Sequence, residues 1–405
     1  MKRSIVLALG LIFSCSSNQT TETSISEKSE DRFHDKPYPT TILHRNEIPA
    51  LGTGPFSVGS SYLEIDSEKL QRVSSSEKLS LAALVSGAVS KEGNPIGIEE
   101  VLVDAPGLIQ FKVSVPPKYQ ASFPPLSTNS TGIAYLLYPT SKENPRTDRS
   151  LWRGAFKLPH AQSLGELPIW ADENARYPLI VFSHGWTAEP IIHLPELRRL
   201  ASWGYLVLAV FHGDRRWFGE PTYERQLLPR PSALSSALDA LLAHPLYGSH
   251  VDTEGIASLG VSAGGTTVYT LLGAKIMGKF DLSDSRFKAA VGHWPHLNRS
   301  VWQGTGSLVS RPFLGLSGTL DTSAPLNENR EVLRRGAGPA YLVGLVGERH
   351  GVSSGAQIKA VTWTQLFFRA YVLEERAAMD LLKETGSVAG ERPIEKLEVF
   401  REPEA

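Results

Sequence analysis

From Pro178 onward, apolar runs of strand length alternate with helical segments, and this alternation restricts the chain more than any other feature. It is the signature of parallel βαβ units, because a parallel strand pair needs a long crossover to bring the chain back to the same edge. The runs cover residues 179–182, 205–210, 256–259, 287–291, 312–316 and 341–345. Helices are expected between them over 194–203, closed by Gly204, and over 232–243, 266–274 and 326–335. A last amphipathic stretch over 356–373 reads as a helix lying across the sheet. Upstream, 60–65, 110–115 and 132–138 have strand character. The expected class is α/β, with a mostly parallel central sheet and helices on both faces.

The first residues have a different character. Lys2 and Arg3 precede the apolar run 5–13, which has the charge, length and order of a secretory signal and is too short to span a bilayer. The run leads into Ile12-Phe13-Ser14-Cys15, which resembles the lipobox of bacterial lipoproteins, with Phe13 bulkier than usual at its place. Cys15 is the only cysteine in the chain, so no internal disulfide can form, and a thiol placed at the end of a signal is explained by modification. Residues 1–15 are therefore read as a lipoprotein-type signal peptide, with Cys15 as the lipid attachment point. The expected location is the bacterial cell envelope, anchored to a membrane and not spanning it; an ordinary signal followed by secretion is the alternative. Residues 16–50 are rich in Ser, Thr, Glu, Lys and Asn and read as a disordered tether. A single folded domain is expected over 51–385, with candidate insertions at 66–98 and 142–176, and 386–405 is read as a C-terminal tail. Charges cancel (Lys+Arg 41 against Asp+Glu 42) and no basic run or basic-aromatic stripe occurs, which argues against a nucleic-acid partner.

Gly260-Val261-Ser262-Ala263-Gly264 has the G-x-S-x-G pattern of a nucleophile elbow, with a short apolar strand before it and a helix after it. A serine on so tight a turn is strained, and Gly260, Gly264 and Gly265 let strand and helix approach. Serine attack on a carbonyl also needs a base, an acid that orients the base, and donors for the oxyanion. Asp321 lies just beyond the strand ending near Leu316, and His350 just beyond the next strand. Both therefore fall at carboxyl ends of strands, where open α/β sheets bind ligands. Oxyanion donors are expected from the backbone N–H of Ala263, after the nucleophile, and of Trp186 in Ser183-His184-Gly185-Trp186-Thr187.

Several motifs together carry a family likeness. They are Pro178-Leu-Ile-Val-Phe-Ser-His-Gly-Trp-Thr-Ala188, Leu200-Ala-Ser-Trp-Gly-Tyr-Leu-Val-Leu-Ala209, the elbow extended to Gly265, Gly318-Thr-Leu-Asp-Thr-Ser-Ala-Pro325 and Gly347-Glu-Arg-His350. In this order they resemble a group of α/β-hydrolases that includes platelet-activating-factor acetylhydrolase-like and dienelactone hydrolase-like enzymes and the bacterial cutinase-like polyesterases. Gly54-Pro55-Phe56-Ser57-Val58-Gly59 and Leu137-Tyr138-Pro139 look like the same group, so the likeness runs over roughly 52–375. It implies the α/β-hydrolase fold and a serine hydrolase of carboxylic esters, short-chain or phospholipid acetyl esters among them. Ser262 would be the nucleophile, Asp321 the acid, His350 the base, and Trp186 and Ala263 the oxyanion donors, with no cofactor or metal. Val261 departs from the histidine that many members carry before the nucleophile, and the segments 66–98 and 142–176 have no counterpart in the compact polyesterases. A peptidase or acyltransferase would use the same triad, and a non-catalytic surface lipoprotein could keep the fold.

Other residues of the chain could take some of these roles. Asp281, Asp284 and Glu328 could supply the orienting carboxylate; His293 and His296 have a spacing that suits either a metal or packing. His212 and Asp214 could line the pocket or stabilise a turn, His184 could shape the oxyanion loop, and Trp294 could be pocket wall or core.

Overall fold

A computed structural model describes residues 32–33, 36–37, 47–64, 66, 68, 107–123, 130–151, 156–217, 220–297, 309–351, 353–390 and 395–401. The signal 1–15 with Cys15, most of the tether 16–50, nearly all of the segment 66–98, and Trp152 lie outside the described residues.

The main sheet is built from β1 (Ser57–Ser60), β2 (Ile109–Lys112), β3 (Thr131–Thr140), β4 (Tyr177–Ser183), β5 (Leu206–Phe211), β6 (Val251–Val261), β7 (Ala289–His293), β8 (Phe313–Gly318), β9 (Ala340–Leu345) and β10 (Glu395–Arg401). Its order is β10-β9-β8-β7-β6-β4-β5-β3-β1, with β2 also on β3. The strands β5, β4, β6, β7, β8 and β9 run parallel, and antiparallel partners close both flanks. The helices are α1 (Leu194–Ser202), α2 (Tyr223–Leu227), α3 (Pro229–Leu242), α4 (Ala263–Leu271), α5 (Leu326–Leu333), α6 (Ser354–Tyr371) and α7 (Arg376–Glu384). Successive strand residues face opposite layers. Ile180, Phe182, Val207 and Leu316 pack with α1, α6 and α7, whereas Leu179, Val181, Leu206 and Phe313 pack with α3, α4 and α5. Apolar residues at every strand position are thus explained by helices on both faces. Each of these buried side chains, cut to alanine, is expected to cost about 2–5 kcal/mol.

Several boundaries differ from the expected ones. The first strand is 57–60 and not 60–65; Ser61 leaves the strand while its backbone N–H still bonds Leu136 O at 2.8 Å and its Oγ accepts the Leu136 N–H at 2.9 Å. The expected tail 386–405 contains structure: Ser387–Val388 pair in parallel with Glu47–Ile48, and β10 runs antiparallel along β9 as the sheet's edge. Glu395 anchors it, accepting from Lys359 Nζ (2.7 Å), Trp363 Nε1 and Val388 N–H (2.9 Å) in a buried cluster. The domain therefore begins by Glu47 and includes these C-terminal strands. Within segment 142–176, Arg149–Leu151 pairs antiparallel with Phe156–Leu158. Trp170 is buried, its ring stacked on His250 at 4.0 Å and near Tyr138 at 4.9 Å.

Candidate active site

Ser262 sits between β6 and α4 with φ 53° and ψ −115°, in the left-handed half of backbone space that a side chain avoids. Such a conformation costs on the order of 1–3 kcal/mol and persists only where its surroundings impose it. The surroundings are tight. A Cβ at Gly260 would lie 2.1 Å from Gly264 O, and one at Gly264 would lie 2.0 Å from Ser183 O. The elbow is also pinned by hydrogen bonds, from Ser262 N–H to His293 O at 2.9 Å and from His296 N–H to Ser262 O at 3.0 Å.

Asp321 follows β8 and His350 follows β9, and the two loops are bound to each other. Leu320 N–H donates to Glu348 O at 2.9 Å, and a Cβ on Gly318 would meet Glu348 O at 2.3 Å. Asp321 Oδ1 accepts the N–H groups of Ser323 and Ala324, each at 2.8 Å, and Oδ2 lies 2.7 Å from His350 Nδ1. Burial pushes the Asp321 carboxyl up, but the His350 hydrogen bond and the backbone donors outweigh it and hold the group below the usual carboxylate range. An ionised carboxylate only accepts, so Nδ1 of His350 carries the proton. Nε2 is thereby left to accept, and it lies 2.9 Å from Ser262 Oγ. The Asp321 side chain is fully buried while the His350 ring is 29% exposed, so the acid is shielded and the base opens to solvent.

The remaining expected residues lie around this chain of hydrogen bonds. Ala263 is the first residue of α4, where an N–H has no acceptor within the helix. The loop after β4 brings Gly185 beside the serine, a Cβ there lying 3.6 Å from Ser262 Cβ. Trp186 packs edge-on to Tyr223 at 5.6 Å. The rival carboxylates Asp281 and Asp284 are engaged elsewhere, with Ser283 and Arg286. His293 Nε2 donates to Thr364 Oγ1 at 2.7 Å, because that hydroxyl gives its own proton to Ala360 O, and His296 Nδ1 lies 3.3 Å from Tyr223 OH. The described residues contain no group of three or more side chains placed to hold a metal. Trp294 is core, 2% exposed. His212 and Asp214 lie beside the loop after β4: His212 Nε2 is 2.8 Å from Ser183 Oγ, and Asp214 pairs with Arg230 at 2.6 Å. Arg230, buried between two prolines, is the residue that sequence reasoning missed. The start Pro229-Arg230-Pro231-Ser232 carries no local signal of it, because the burial is made by Asp214 and the loop after β4.

Two buried histidines make the site acid-sensitive. Burial and then the Arg230 charge push the His184 imidazole down to about 3, and burial pushes His293 down to about 4, from an ordinary value of 6.5. Below pH 6.5 the unfolded chain takes up these protons and the fold does not, so stability falls as pH drops through that window toward the folded values. The rings contribute on the order of 3–5 kcal/mol each across their windows. Urea midpoints measured at pH 7.5, 5.5 and 4.5 are expected to fall in that order, and less steeply for His293→Gln. A midpoint constant over that range would rule out neutral burial of the two rings.

Residues 161–224 match the family model described as platelet-activating factor acetylhydrolase, isoform II. The match spans β4, the loop after it, α1 and β5, and ends in the first turn of α2. No curated protein matches the chain. The architecture is the α/β-hydrolase fold, and the matched family supports a hydrolase of the lipid- and ester-cleaving kind.

Proposed function

We propose that this protein is a serine hydrolase of carboxylic esters that works through an acyl-enzyme. The observation that carries the reading is the unbroken hydrogen-bonded chain from Asp321 through His350 to Ser262. In the first step Ser262 Oγ bonds to the ester carbonyl carbon as its proton passes to His350 Nε2, and the carbonyl oxygen becomes an oxyanion held by the N–H groups of Ala263 and Trp186. Collapse breaks the bond to the leaving alkoxide, which takes the proton from Nε2. Water then repeats the sequence on the acyl-enzyme, giving the acid and restoring Ser262. Asp321 keeps the ring in the required tautomer and offsets the imidazolium charge. No step calls on a metal or organic cofactor.

Peptidases and acyltransferases use the same three groups. The acetylhydrolase description of the matched family weighs toward esters, and short-chain or phospholipid acetyl esters are the substrate class proposed. A fluorophosphonate probe should form a covalent adduct that peptide mass spectrometry maps to Ser262; absence of labelling on folded protein would leave only the non-catalytic reading.

Lipid attachment at Cys15 is part of the same proposal, carried by Lys2 and Arg3, the apolar run 5–13 and the single cysteine that follows it. In a bacterial host the wild-type chain is expected to incorporate labelled palmitate and to sediment with membranes, and Cys15→Ser to do neither. Equal labelling of both chains would overturn the assignment.

A further inference from the structure

Arg230, in the first turn of α3, has a side chain with no exposure, as has an apolar core residue. A buried guanidinium is tolerated only when its donors are satisfied. Here they are satisfied in a particular way. Nε bonds Asp214 Oδ1 at 2.9 Å and Nη2 bonds Asp214 Oδ2 at 2.6 Å, a two-point pair. The other contacts go to the loop after β4: Nη1 to His184 O at 2.7 Å and Nη2 to Gly185 O at 3.0 Å. Asp214 Oδ2 in turn accepts the Thr187 N–H at 2.9 Å. The ion pair therefore grips the loop at His184, Gly185 and Thr187, on both sides of Trp186.

The Gly185 carbonyl has a second donor. His184 Nε2 accepts the His212 N–H at 3.2 Å, so the proton of this neutral ring is on Nδ1, which lies 2.7 Å from Gly185 O. In a trans peptide the C=O and the following N–H point in opposite directions. Fixing Gly185 O toward Arg230 and His184 turns the Trp186 N–H the other way, and Gly185 has Ser262 Cβ as the nearest atom to its open Cβ position. A positive charge on the carbonyl oxygen also draws density from the peptide and strengthens its N–H as a donor.

We propose that Arg230, held by Asp214, is a positioning residue that aims and polarises the Gly185–Trp186 peptide, so that the Trp186 N–H stabilises the oxyanion formed on Ser262. The proposal rests on the serine-esterase reading above. An ion pair that only holds the fold would affect stability and leave the chemistry of the oxyanion untouched, and this difference is measurable.

Arg230→Met alone strands the Asp214 carboxylate, so the test uses Arg230→Met combined with Asp214→Asn, which removes both charges and keeps an acceptor for Thr187. Arg230→Lys, which keeps the charge and loses the fork, is the second variant. Full-length proteins are assayed on p-nitrophenyl acetate and on its thionoacetate, whose sulfur is a poor acceptor in an oxyanion site. For the double variant kcat is expected to fall about 10²-fold with little change in KM. Arg230→Lys should lose roughly tenfold, and in both the preference for oxygen over sulfur should shrink. A parent-like kcat in either folded variant, or a lower kcat with the oxygen preference intact, overturns the proposal. Should the double variant fail to fold, Arg230→Lys carries both outcomes. Ser262→Ala run in parallel separates the two readings: activity in that variant removes the reading of Ser262 as the nucleophile, whereas an inactive Ser262→Ala beside parent-like Arg230 variants removes only this one.

Discussion

Ser262→Ala should give a folded protein whose hydrolysis of p-nitrophenyl acetate is lower by roughly 10⁴-fold or more. The expected size follows from the geometry. Removing Oγ deletes the only atom within hydrogen-bond reach of His350 Nε2, at 2.9 Å, and no neighbouring hydroxyl is placed to replace it among the described residues. Oxyanion donors and binding would sustain a remnant of activity. Stability should barely move, because alanine adopts the same φ of 53° at a similar cost and the serine side chain is only half buried. Turnover and a thermal melt together decide the matter. Retention of most of the activity would place the nucleophile elsewhere.

Asp321→Asn is the second large effect, with kcat expected to fall by about 10³–10⁴-fold and the fold retained. Both carboxylate oxygens are acceptors here, one for His350 Nδ1 and the other for the Ser323 and Ala324 N–H groups. An amide has one oxygen. If that oxygen faces the backbone donors, the NH₂ faces His350 and forces the proton onto Nε2, which then cannot take the serine proton. If the oxygen faces His350, the NH₂ confronts two N–H groups. Either arrangement damages the relay, and the first is the cheaper. The kcat at saturating p-nitrophenyl acetate, measured alongside Ser262→Ala, checks the expectation; a loss of less than tenfold would mean that Asp321 is not the orienting acid.

How far the site could be read in the sequence depended on the range of each signal. Local signals carried well: apolar runs located β4 to β9 within two residues at most ends, apart from the longer β6, and the glycines of the elbow marked a turn whose clashes are now countable. Strand ends also placed Asp321 and His350, since residues just beyond parallel strands share one edge. Long-range pairing did not carry. Glu395-Lys-Leu-Glu-Val-Phe-Arg401 mixes four charged with three apolar residues, which suits an edge strand and equally a solvated tail; only the partner β9 distinguishes them. Arg230 was silent for the same reason, because its meaning lies in Asp214 and in two carbonyls of a distant loop.

The pairing of Glu47–Ile48 with Ser387–Val388 has a consequence for how the molecule is made. The two segments are separated by nearly the whole described fold, and β10 closes the edge of the strand that leads into the His350 loop. A ribosome that has delivered Ser262, Asp321 and His350 has supplied all three groups of the proposed triad and not yet β10. The nascent chain must wait, with the β9 edge open to any other strand, until 395–401 emerge. Contacts of such separation form late and slowly, and the open edge in that interval is where misassembly with a neighbouring chain would begin.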